Sequence, residues 1–259
     1  MSIDAVDLIA FDVYGTLVRN DYAAWDETIA QLVREHSLSV KPHALGLSVE
    51  PRILHREWNA RESQFRRQRT NMDDPERSPP FRTYFEAWRD AFEDTFEALG
   101  LSADPAAFSR RCVERMAEMP PFPDAAPALE ALAPIAPLAV LSNADNPFLD
   151  VLARCGWRFD AVVSSESARA YKPDPRAFAA LVRATGVAPE RILYVGDSPY
   201  DDAHGAKLAG MRAVLIRREQ TTMRTPPPDG EALLAPDAVV ESLTELPALL
   251  AVALERSAR

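Results

Sequence analysis

The sequence predicts an α/β protein: a Rossmann-like, doubly wound parallel sheet with an inserted, all-helical cap. Residues 121–259 alternate short apolar segments with helical patterns, which is typical of a parallel sheet covered by helices on both faces. Residues 18–120 contain helical patterns only, and they follow a single buried strand at residues 8–11. We therefore expect a sheet that is interrupted, after its first strand, by a helical insertion.

Each element is predicted from the spacing of its apolar residues and from the Gly, Pro, Asn and Asp residues that bound it. The helices expected within the insertion are residues 23–35, 49–67, 81–99 and 105–119. The helices expected after the insertion are residues 125–132, 147–155, 175–185 and 203–209. The strands expected are residues 8–11, 138–141, 159–163, 191–195 and 211–216, with a short sixth strand at 238–240. A Thr-, Pro- and Gly-rich connector at residues 218–236 is predicted to be a surface loop.

The change of pattern also predicts the domain boundaries. Residues 1–17 and 121–259 would form the Rossmann-like core, and residues 18–120 the cap. Because the insertion leaves and re-enters the core just beyond the first strand, its helices should cover the carboxyl end of that strand. We expect hinge segments at residues 17–22 and 119–123, where closure of the cap would exclude water.

Composition and charge disfavour several classes of partner. The 259 residues carry a formal net charge of −10 and no basic block, which disfavours nucleic acids and anionic membrane surfaces. No stretch approaches about 18 uninterrupted apolar residues, and the N-terminus lacks a cationic segment followed by an apolar run, so neither membrane spanning nor export is expected. Cys112 and Cys155 have no metal-ligand spacing and are predicted to be reduced, buried thiols of a cytoplasmic protein. Monomer and homodimer both remain open.

Asp12 stands at the carboxyl end of the first predicted strand, the edge where parallel α/β sheets bind their ligands. Gly15 permits a sharp turn directly afterwards, and Thr16 offers a hydroxyl and an amide to a group held by Asp12. An aspartate that only caps the next turn is the alternative that this stretch alone leaves open.

Three further polar segments are predicted at the same edge of the sheet. They are Ser142-Asn143, Lys172 within Ala170-Tyr171-Lys172-Pro173-Asp174-Pro175, and Gly196-Asp197 followed by Asp201-Asp202. Taken singly, each has an ordinary structural explanation: a helix N-cap, a solvated turn residue and an acidic first helical turn. Their order and common edge favour one functional site. We expect Lys172 within about 4 Å of an Asp12 oxygen, because opposite charges in a partly buried site pair.

With these motifs in order, the chain resembles the haloacid dehalogenase-like hydrolase superfamily over essentially its whole length, and its insertion lies where that family carries a small cap domain. The resemblance implies that Asp12 is a nucleophile, which would split hydrolysis into formation and breakdown of an aspartyl-enzyme intermediate. It implies that Thr16 and Ser142 hold the oxygens of the bound group, and that Lys172 neutralises both the nucleophile and the substrate anion. Asn143 would orient the substrate or Lys172.

The last motif resembles that of the family's phosphatases, and this resemblance implies a Mg²⁺ cofactor. The implied ligands are Asp12, the backbone carbonyl of Tyr14 and Asp197, with Asp202 or Asp201 holding coordinated water. Electrostatics also favours a bound cation, because carboxylates that meet at one strand end repel each other without one, and Mg²⁺ prefers oxygen ligands.

The first motif departs from the phosphatase pattern. The family's phosphatases usually carry a second Asp two residues after the nucleophile, as the acid for the leaving alcohol, whereas this chain has Tyr14, like the family's metal-free 2-haloacid dehalogenases. Other positions depart from the dehalogenases, which have Ser at the position of Asp197, Asn at that of Pro199 and an aromatic hydroxyl at that of Phe178. Tyr14 and Arg56 are candidate substrate-binding residues. Arg56 falls near a dehalogenase lid arginine that binds carboxylate or halide, with exposed helix surface as its alternative.

The expected activity is Mg²⁺-dependent hydrolysis of a small, anionic phosphate ester through an intermediate on Asp12. Hydrolytic dehalogenation of a 2-haloacid is the alternative, and a non-catalytic metabolite-binding protein is a more remote one. Substrate identity depends on cap side chains whose orientation the sequence does not fix.

Overall fold

The computed structural model describes residues 6–20, 22–36, 49–218 and 232–257, with side chains described as far as residue 251. Its strands are β1 (Leu8–Phe11), β2 (Leu138–Ser142), β3 (Ala161–Ser164), β4 (Ile192–Gly196), β5 (Arg212–Ile216) and β6 (Ala238–Val240). Its α-helices are α1 (Tyr22–Glu35), α2 (Pro51–Gln68), α3 (Tyr84–Leu99), α4 (Pro105–Glu118), α5 (Ala125–Leu132), α6 (Asp150–Arg154), α7 (Ser165–Ala168), α8 (Pro175–Thr185), α9 (Gly205–Leu208) and α10 (Leu246–Ser257). Most of the predicted 218–236 connector lies outside the described residues.

All six strands form one parallel sheet in the order β3-β2-β1-β4-β5-β6, which confirms the predicted fold class. β1 is buried along its whole length: Ile9 and Phe11 belong to one core cluster, and Leu8 and Ala10 belong to the other. The chain winds in opposite directions from β1 and β4. The crevice beyond the carboxyl ends of these two strands is therefore the topological switch point, where ligands bind in such sheets.

The helices α1 to α4 fall within residues 18–120, and the described part of this range contributes no strand to the main sheet. Local signals explain where they begin. α3, for example, starts with a capping box in which Thr83 and Glu86 satisfy each other's backbone N–H groups. Aromatic side chains fill the space between these helices, with Trp58 stacked on Phe92 at 5.1 Å between ring centroids.

The two segments that join these helices to the sheet run side by side. The N–H of Arg19 donates to the carbonyl of Pro120 at 2.9 Å, and the N–H of Phe122 donates to the carbonyl of Leu17 at 2.9 Å. These segments coincide with the predicted hinges, and they bring the insertion out and back at one place, beside the end of β1.

Hydrogen bonds also fasten the start of α3 to the carboxyl edge of the sheet. The Asp145 carboxylate, which follows β2, accepts the N–H groups of Tyr84 at 2.7 Å and Phe85 at 2.8 Å. The Tyr171 hydroxyl donates to the carbonyl of Arg82 at 2.7 Å. The insertion is thus held over the sheet edge by contacts that are far apart in sequence.

Short elements differ most from the prediction. The helix expected at 203–209 begins instead as a π-helical turn at Pro199–His204, and α9 adds only four residues. The helix expected at 147–155 is divided into a 3-10 turn at Asn146–Leu149 and α6. α7 was not predicted, because four residues are too few to show a helical period.

The described helices include none that combines the length and the hydropathy needed to span a membrane. Both cysteines are free thiols. Cys112 is buried as predicted, whereas Cys155 is only half-buried because it caps the C-terminus of the short helix α6.

Candidate active site

The sheet topology brings separated segments to one edge. Asp12 directly follows β1, Ser142 ends β2 and Asp197 directly follows β4. Because β1 pairs with both β2 and β4, these side chains meet at the carboxyl end of the sheet. Lys172 enters the same place from the segment between α7 and α8.

A cavity of about 80 Å³ lies between this edge and the helices α1 to α4. Its helical side includes Trp25 on α1, Arg66 on α2, Arg69 at the C-cap of α2, and Tyr84 and Trp88 on α3. Its sheet side includes the predicted residues Asp12, Tyr14, Ser142, Asn143, Lys172, Asp197 and Asp202. The structure therefore brings together every predicted site residue except Thr16 and Arg56.

Asp12 is buried, and one of its carboxylate oxygens accepts two hydrogen bonds. Ser142 Oγ and Lys172 Nζ each lie 2.8 Å from Oδ1 of Asp12, so the expected contact with Lys172 is present. No described residue makes a hydrogen bond to Oδ2, which leaves that oxygen available to a substrate or a cation. Burial raises the pKa of Asp12 to about 6, although the ammonium of Lys172 acts in the opposite direction.

Lys172 is enclosed by three acceptors, one for each N–H of its ammonium group. Its Nζ lies 2.8 Å from Oδ1 of Asp12, 2.6 Å from Oδ1 of Asp202 and 2.6 Å from the hydroxyl of Tyr194. Burial disfavours the charge of Lys172, but the two carboxylates outweigh burial and hold its pKa well above the ordinary value. Lys172 is therefore a fixed positive charge between two acids.

Asn143 fixes the backbone of Lys172. Its Oδ1 accepts the N–H of Lys172 at 2.7 Å, and its Nδ2 donates to the carbonyl of Lys172 at 3.0 Å. Of the two roles that the family resemblance implies for Asn143, the geometry favours orientation of Lys172.

Two predicted residues next to Asp12 direct their side chains elsewhere. Thr16 is fully buried outside the cavity lining, and its hydroxyl has no hydrogen-bond partner among the described residues. The Tyr14 hydroxyl lies between two backbone carbonyls, 2.7 Å from that of Phe148 and 3.0 Å from that of Met116. Burial, together with the charge of Asp12, raises the pKa of Tyr14 well above the ordinary value. This hydroxyl is therefore a poor proton donor for a leaving group.

Asp12, Asp197 and Asp202 form a buried carboxylate cluster, in which one oxygen of each residue lies within 4.8 Å of the others. The Asp197 carboxylate sits directly over Gly15, where a Cβ would lie 2.6 Å from it, so any other residue at position 15 would displace this acid. Three buried carboxylates are a donor set that suits Mg²⁺, and the ammonium of Lys172 offsets only one of their three negative charges. The residues present therefore fit the predicted cation.

Arg56 is placed away from the cavity, contrary to its assignment as a substrate-binding residue. Its side chain is 73 % exposed and pairs with Glu57 at 3.2 Å. At about 100° per residue, Arg56 is rotated by roughly 240° around α2 from Glu62, which does line the cavity. Exposed helix surface, the alternative stated for Arg56, describes its position.

The arginines that do reach the cavity are Arg66 and Arg69, on the same face of α2 as Glu62. Arg66 Nε donates to Oε2 of Glu62 at 2.9 Å. Arg69 donates to the Tyr84 hydroxyl at 2.6 Å and lies 3.5 Å from Oδ2 of Asp201. The sequence analysis missed these residues, although their spacing of four and then three positions is the signal of a shared helical face.

The fold and the sequence agree on the class of protein, a hydrolase with a Rossmann-like core. The family model "Hydrolase: haloacid dehalogenase-like hydrolase" matches residues 6–210, and the chain belongs to this family.

Parts of the chain match relatives of two kinds, phosphatases and 2-haloacid dehalogenases. The chain is 32 % identical over 140 residues to the (S)-2-haloacid dehalogenase of Xanthobacter autotrophicus. This alignment covers 52 % of this chain and 54 % of that protein. The chain is 43 % identical over 88 residues to a phosphoserine phosphatase of Thermus thermophilus, which covers 34 % of this chain and 32 % of that protein. The chain thus spans about half or less of the length of the curated relatives that it matches.

Solved structures extend the likeness of the fold. The L-2-haloacid dehalogenase of Xanthobacter autotrophicus superimposes with a TM-score of 0.68 and 25 % identity, covering 95 % of this chain and 98 % of that one. Since phosphatases and dehalogenases both match, family membership alone does not assign the substrate.

Proposed function

We propose that this protein hydrolyses a small phosphate ester with the help of Mg²⁺, through a covalent intermediate on Asp12. The observation that carries the proposal is the acid at position 197, within 4.8 Å of Asp12 and Asp202. A metal-free enzyme gains nothing from a third buried carboxylate beside its nucleophile, because like charges at this distance raise each other's pKa. A bound cation would offset the repulsion among these carboxylates. It would also allow an anionic phosphate group to bind at a cluster that otherwise repels it.

The contacts of Asp12 suggest how it would act. Its Oδ1 is held by Ser142 and Lys172, so Oδ2 is the oxygen proposed to attack phosphorus. The new bond joins Oδ2 to phosphorus as the ester P–O bond breaks, and the leaving group departs as its oxyanion, which takes up a proton from water. Water then attacks phosphorus, which restores the Asp12 carboxylate and releases phosphate.

The proposed Mg²⁺ ligands are Asp12, the Tyr14 carbonyl and Asp197, with Asp202 in support. The ion would supply Lewis-acid stabilisation of the charge on the phosphoryl oxygens. Among the protein's own groups, Lys172 supplies the fixed positive charge at the nucleophile, and Asn143 holds the Lys172 backbone in place.

Tyr14 restricts the substrates that this mechanism can use. Its hydroxyl is committed to backbone carbonyls, and its raised pKa makes it a weaker acid than an ordinary tyrosine. The leaving group must therefore depart with little protonation from the protein. We expect good leaving groups, such as phenols or acyl groups, to react fastest, and simple alkyl phosphates to react slowly.

We propose further that the helices within residues 18–120 act as a cap that closes over the cavity. In support, the backbone passes between the insertion and the core through the paired segments at Leu17–Arg19 and 120–122, beside the Asp12 strand. Side chains of α1, α2 and α3 complete the cavity. Closure would exclude water from the site and would place Arg66 and Arg69 near the non-reacting part of the substrate.

Hydrolytic dehalogenation is the second candidate, and Tyr14 is the observation that favours it. A halide leaves without a proton, so that reaction does not need the acid that this chain lacks. The same Oδ2 of Asp12 would then attack carbon, and Arg69 would be placed to pair with the substrate carboxylate.

A two-way substrate screen separates these candidates. Phosphomonoesters, including p-nitrophenyl phosphate and acetyl phosphate, and 2-haloacids, including 2-chloropropionate, are each assayed with Mg²⁺ and with chelator. We expect phosphate release that requires Mg²⁺ and that is lost in Asp12→Asn but kept in Asp150→Asn, a change on exposed helix surface. Full dehalogenation in chelator, with no phosphate released in Mg²⁺, would transfer the assignment to the second candidate.

A further inference from the structure

Tyr194 is a buried polar group at the centre of the site that the sequence analysis and the proposed mechanism leave without a role. It lies in the middle of β4, is fully buried, and has its ring 5.4 Å from that of Phe178 in an edge-to-face arrangement. Its hydroxyl lies 2.6 Å from Lys172 Nζ and 2.6 Å from the carbonyl of Leu141.

The direction of these two hydrogen bonds is fixed by chemistry. An ammonium group can only donate, so the Tyr194 oxygen must accept from Lys172. A carbonyl can only accept, so the Tyr194 hydroxyl donates its proton to Leu141. One hydroxyl can fill both roles at once, because it has one proton to donate and lone pairs with which to accept.

The contacts close a ring around the nucleophile. Lys172 donates to Asp12 Oδ1, and so does Ser142, the residue that follows Leu141 on β2. Tyr194 joins the two halves, because it accepts from Lys172 and donates to the backbone of Leu141. The third N–H of Lys172 donates to Asp202, with Nζ 2.6 Å from Oδ1. All three N–H groups of the ammonium are therefore engaged, which fixes its orientation.

We propose that Tyr194 is a positioning residue, which holds Lys172 on Oδ1 of Asp12 and thereby keeps Oδ2 as the attacking oxygen. The inference rests on the proposed function only in taking Asp12 as nucleophile and Lys172 as its charged partner. Both candidate reactions share that pair. Without the hydroxyl, one buried N–H of Lys172 lacks an acceptor, and the ammonium is free to shift toward either carboxylate.

The test removes the hydroxyl and keeps the ring, in Tyr194→Phe. We expect kcat to fall about tenfold to a hundredfold, as for loss of a hydrogen bond to a charged group, with KM changed by less than about threefold. Thr95→Val is the matched control, since it also deletes a buried hydroxyl that donates to a backbone carbonyl, at 2.6 Å from Ala91, but within α3. Thr95→Val should keep the wild-type kcat.

The outcomes separate this inference from the proposed function. Rates are measured on p-nitrophenyl phosphate with Mg²⁺ and on 2-chloropropionate with chelator. If the wild type hydrolyses only the haloacid, the proposed function fails, and the kcat ratio on the haloacid still decides the role of Tyr194. A kcat within about twofold of the wild type, on whichever substrate reacts, overturns the inference.

A stability measurement covers the case in which neither substrate reacts. The unfolding midpoints of Tyr194→Phe, Lys172→Met and the double variant form a cycle. If Tyr194 acts through Lys172, its removal should lower the midpoint far less once Lys172 is already replaced. Losses that simply add would overturn the inference.

Discussion

The sheet edge and the helical insertion line the same cavity by different means. At the sheet edge, Asp12, Ser142 and Asp197 come from three strands, and parallel pairing alone forces them together. On the helical side, Arg66 and Arg69 come from one helix, and they reach the cavity only because of their rotation around α2. A position at a strand end is set by topology, whereas a position on a helical face changes by about 100° with each residue.

This difference predicts where substitutions act most strongly. The sheet edge holds interlocked charges, so its variants should affect the chemical step. The helical side lines the rest of the cavity, so its variants should affect substrate choice and binding.

The largest effect is expected for Lys172→Met at the sheet edge. Loss of the ammonium that lies between Asp12 and Asp202 should lower kcat by roughly 100- to 1000-fold, the range for removal of one preorganised charge-stabilising donor. Steady-state kinetics are compared with Lys207→Met, which breaks the other core lysine pair, at 2.8 Å to Asp237, away from the cavity. Near-normal kcat in Lys172→Met, or an equal loss in Lys207→Met, would contradict the assignment.

Two arginines of α2 provide the matched test on the helical side. Arg69→Ala should lower kcat/KM by about 10- to 100-fold, since it deletes a buried guanidinium that lines the cavity. Arg56→Ala should stay within about twofold, because that side chain is 73 % exposed. Similar losses in both variants, measured with the same substrate, would mean that the structure places the face of α2 wrongly.

The sequence predicted the sheet edge better than the helical side for this physical reason. Asp12 and Asp197 were found because short apolar runs end at them, and Lys172 was found from its place in the order of the motifs. Arg56 was named because it falls near the position of a dehalogenase lid arginine, and sequence position along a helix does not reveal which face meets a neighbour. Tyr194 was missed for another reason: tyrosine is a common strand former, and nothing in an apolar strand marks its hydroxyl as functional.

The pH dependence of kcat/KM tests the charge state at the sheet edge. In the proposed mechanism Asp12 attacks as a carboxylate, and burial raises its pKa to about 6. Below that pH the nucleophile is protonated, so kcat/KM measured at sub-saturating Mg²⁺ should fall about tenfold per pH unit, and it should be level above. Mg²⁺ favours the carboxylate and should move this limb to lower pH. A limb that does not move with Mg²⁺ would place the ion away from Asp12.

The smallest effect on activity is expected for thiol modification. The helical insertion and the core contain one cysteine each, so the order of labelling compares their accessibility. Burial raises the pKa of Cys112 on α4, whereas Cys155 in the core is half-buried. In the native protein an alkylating reagent should modify Cys155 first, and it should reach Cys112 only after denaturation, with little change in kcat. Rapid native labelling of Cys112, detected by mass spectrometry, would show that the helical insertion opens far more than its buried core implies.

Direct measurement of Mg²⁺ binding tests the central claim that the three acids form a cation site. Isothermal titration calorimetry compares the wild type with Asp197→Asn, and Asp150→Asn serves as the control for charge lost at the surface. We expect one Mg²⁺ per chain in the wild type and in Asp150→Asn, and an affinity at least about tenfold weaker in Asp197→Asn. Equal binding in all three proteins, or no binding in the wild type, would contradict it.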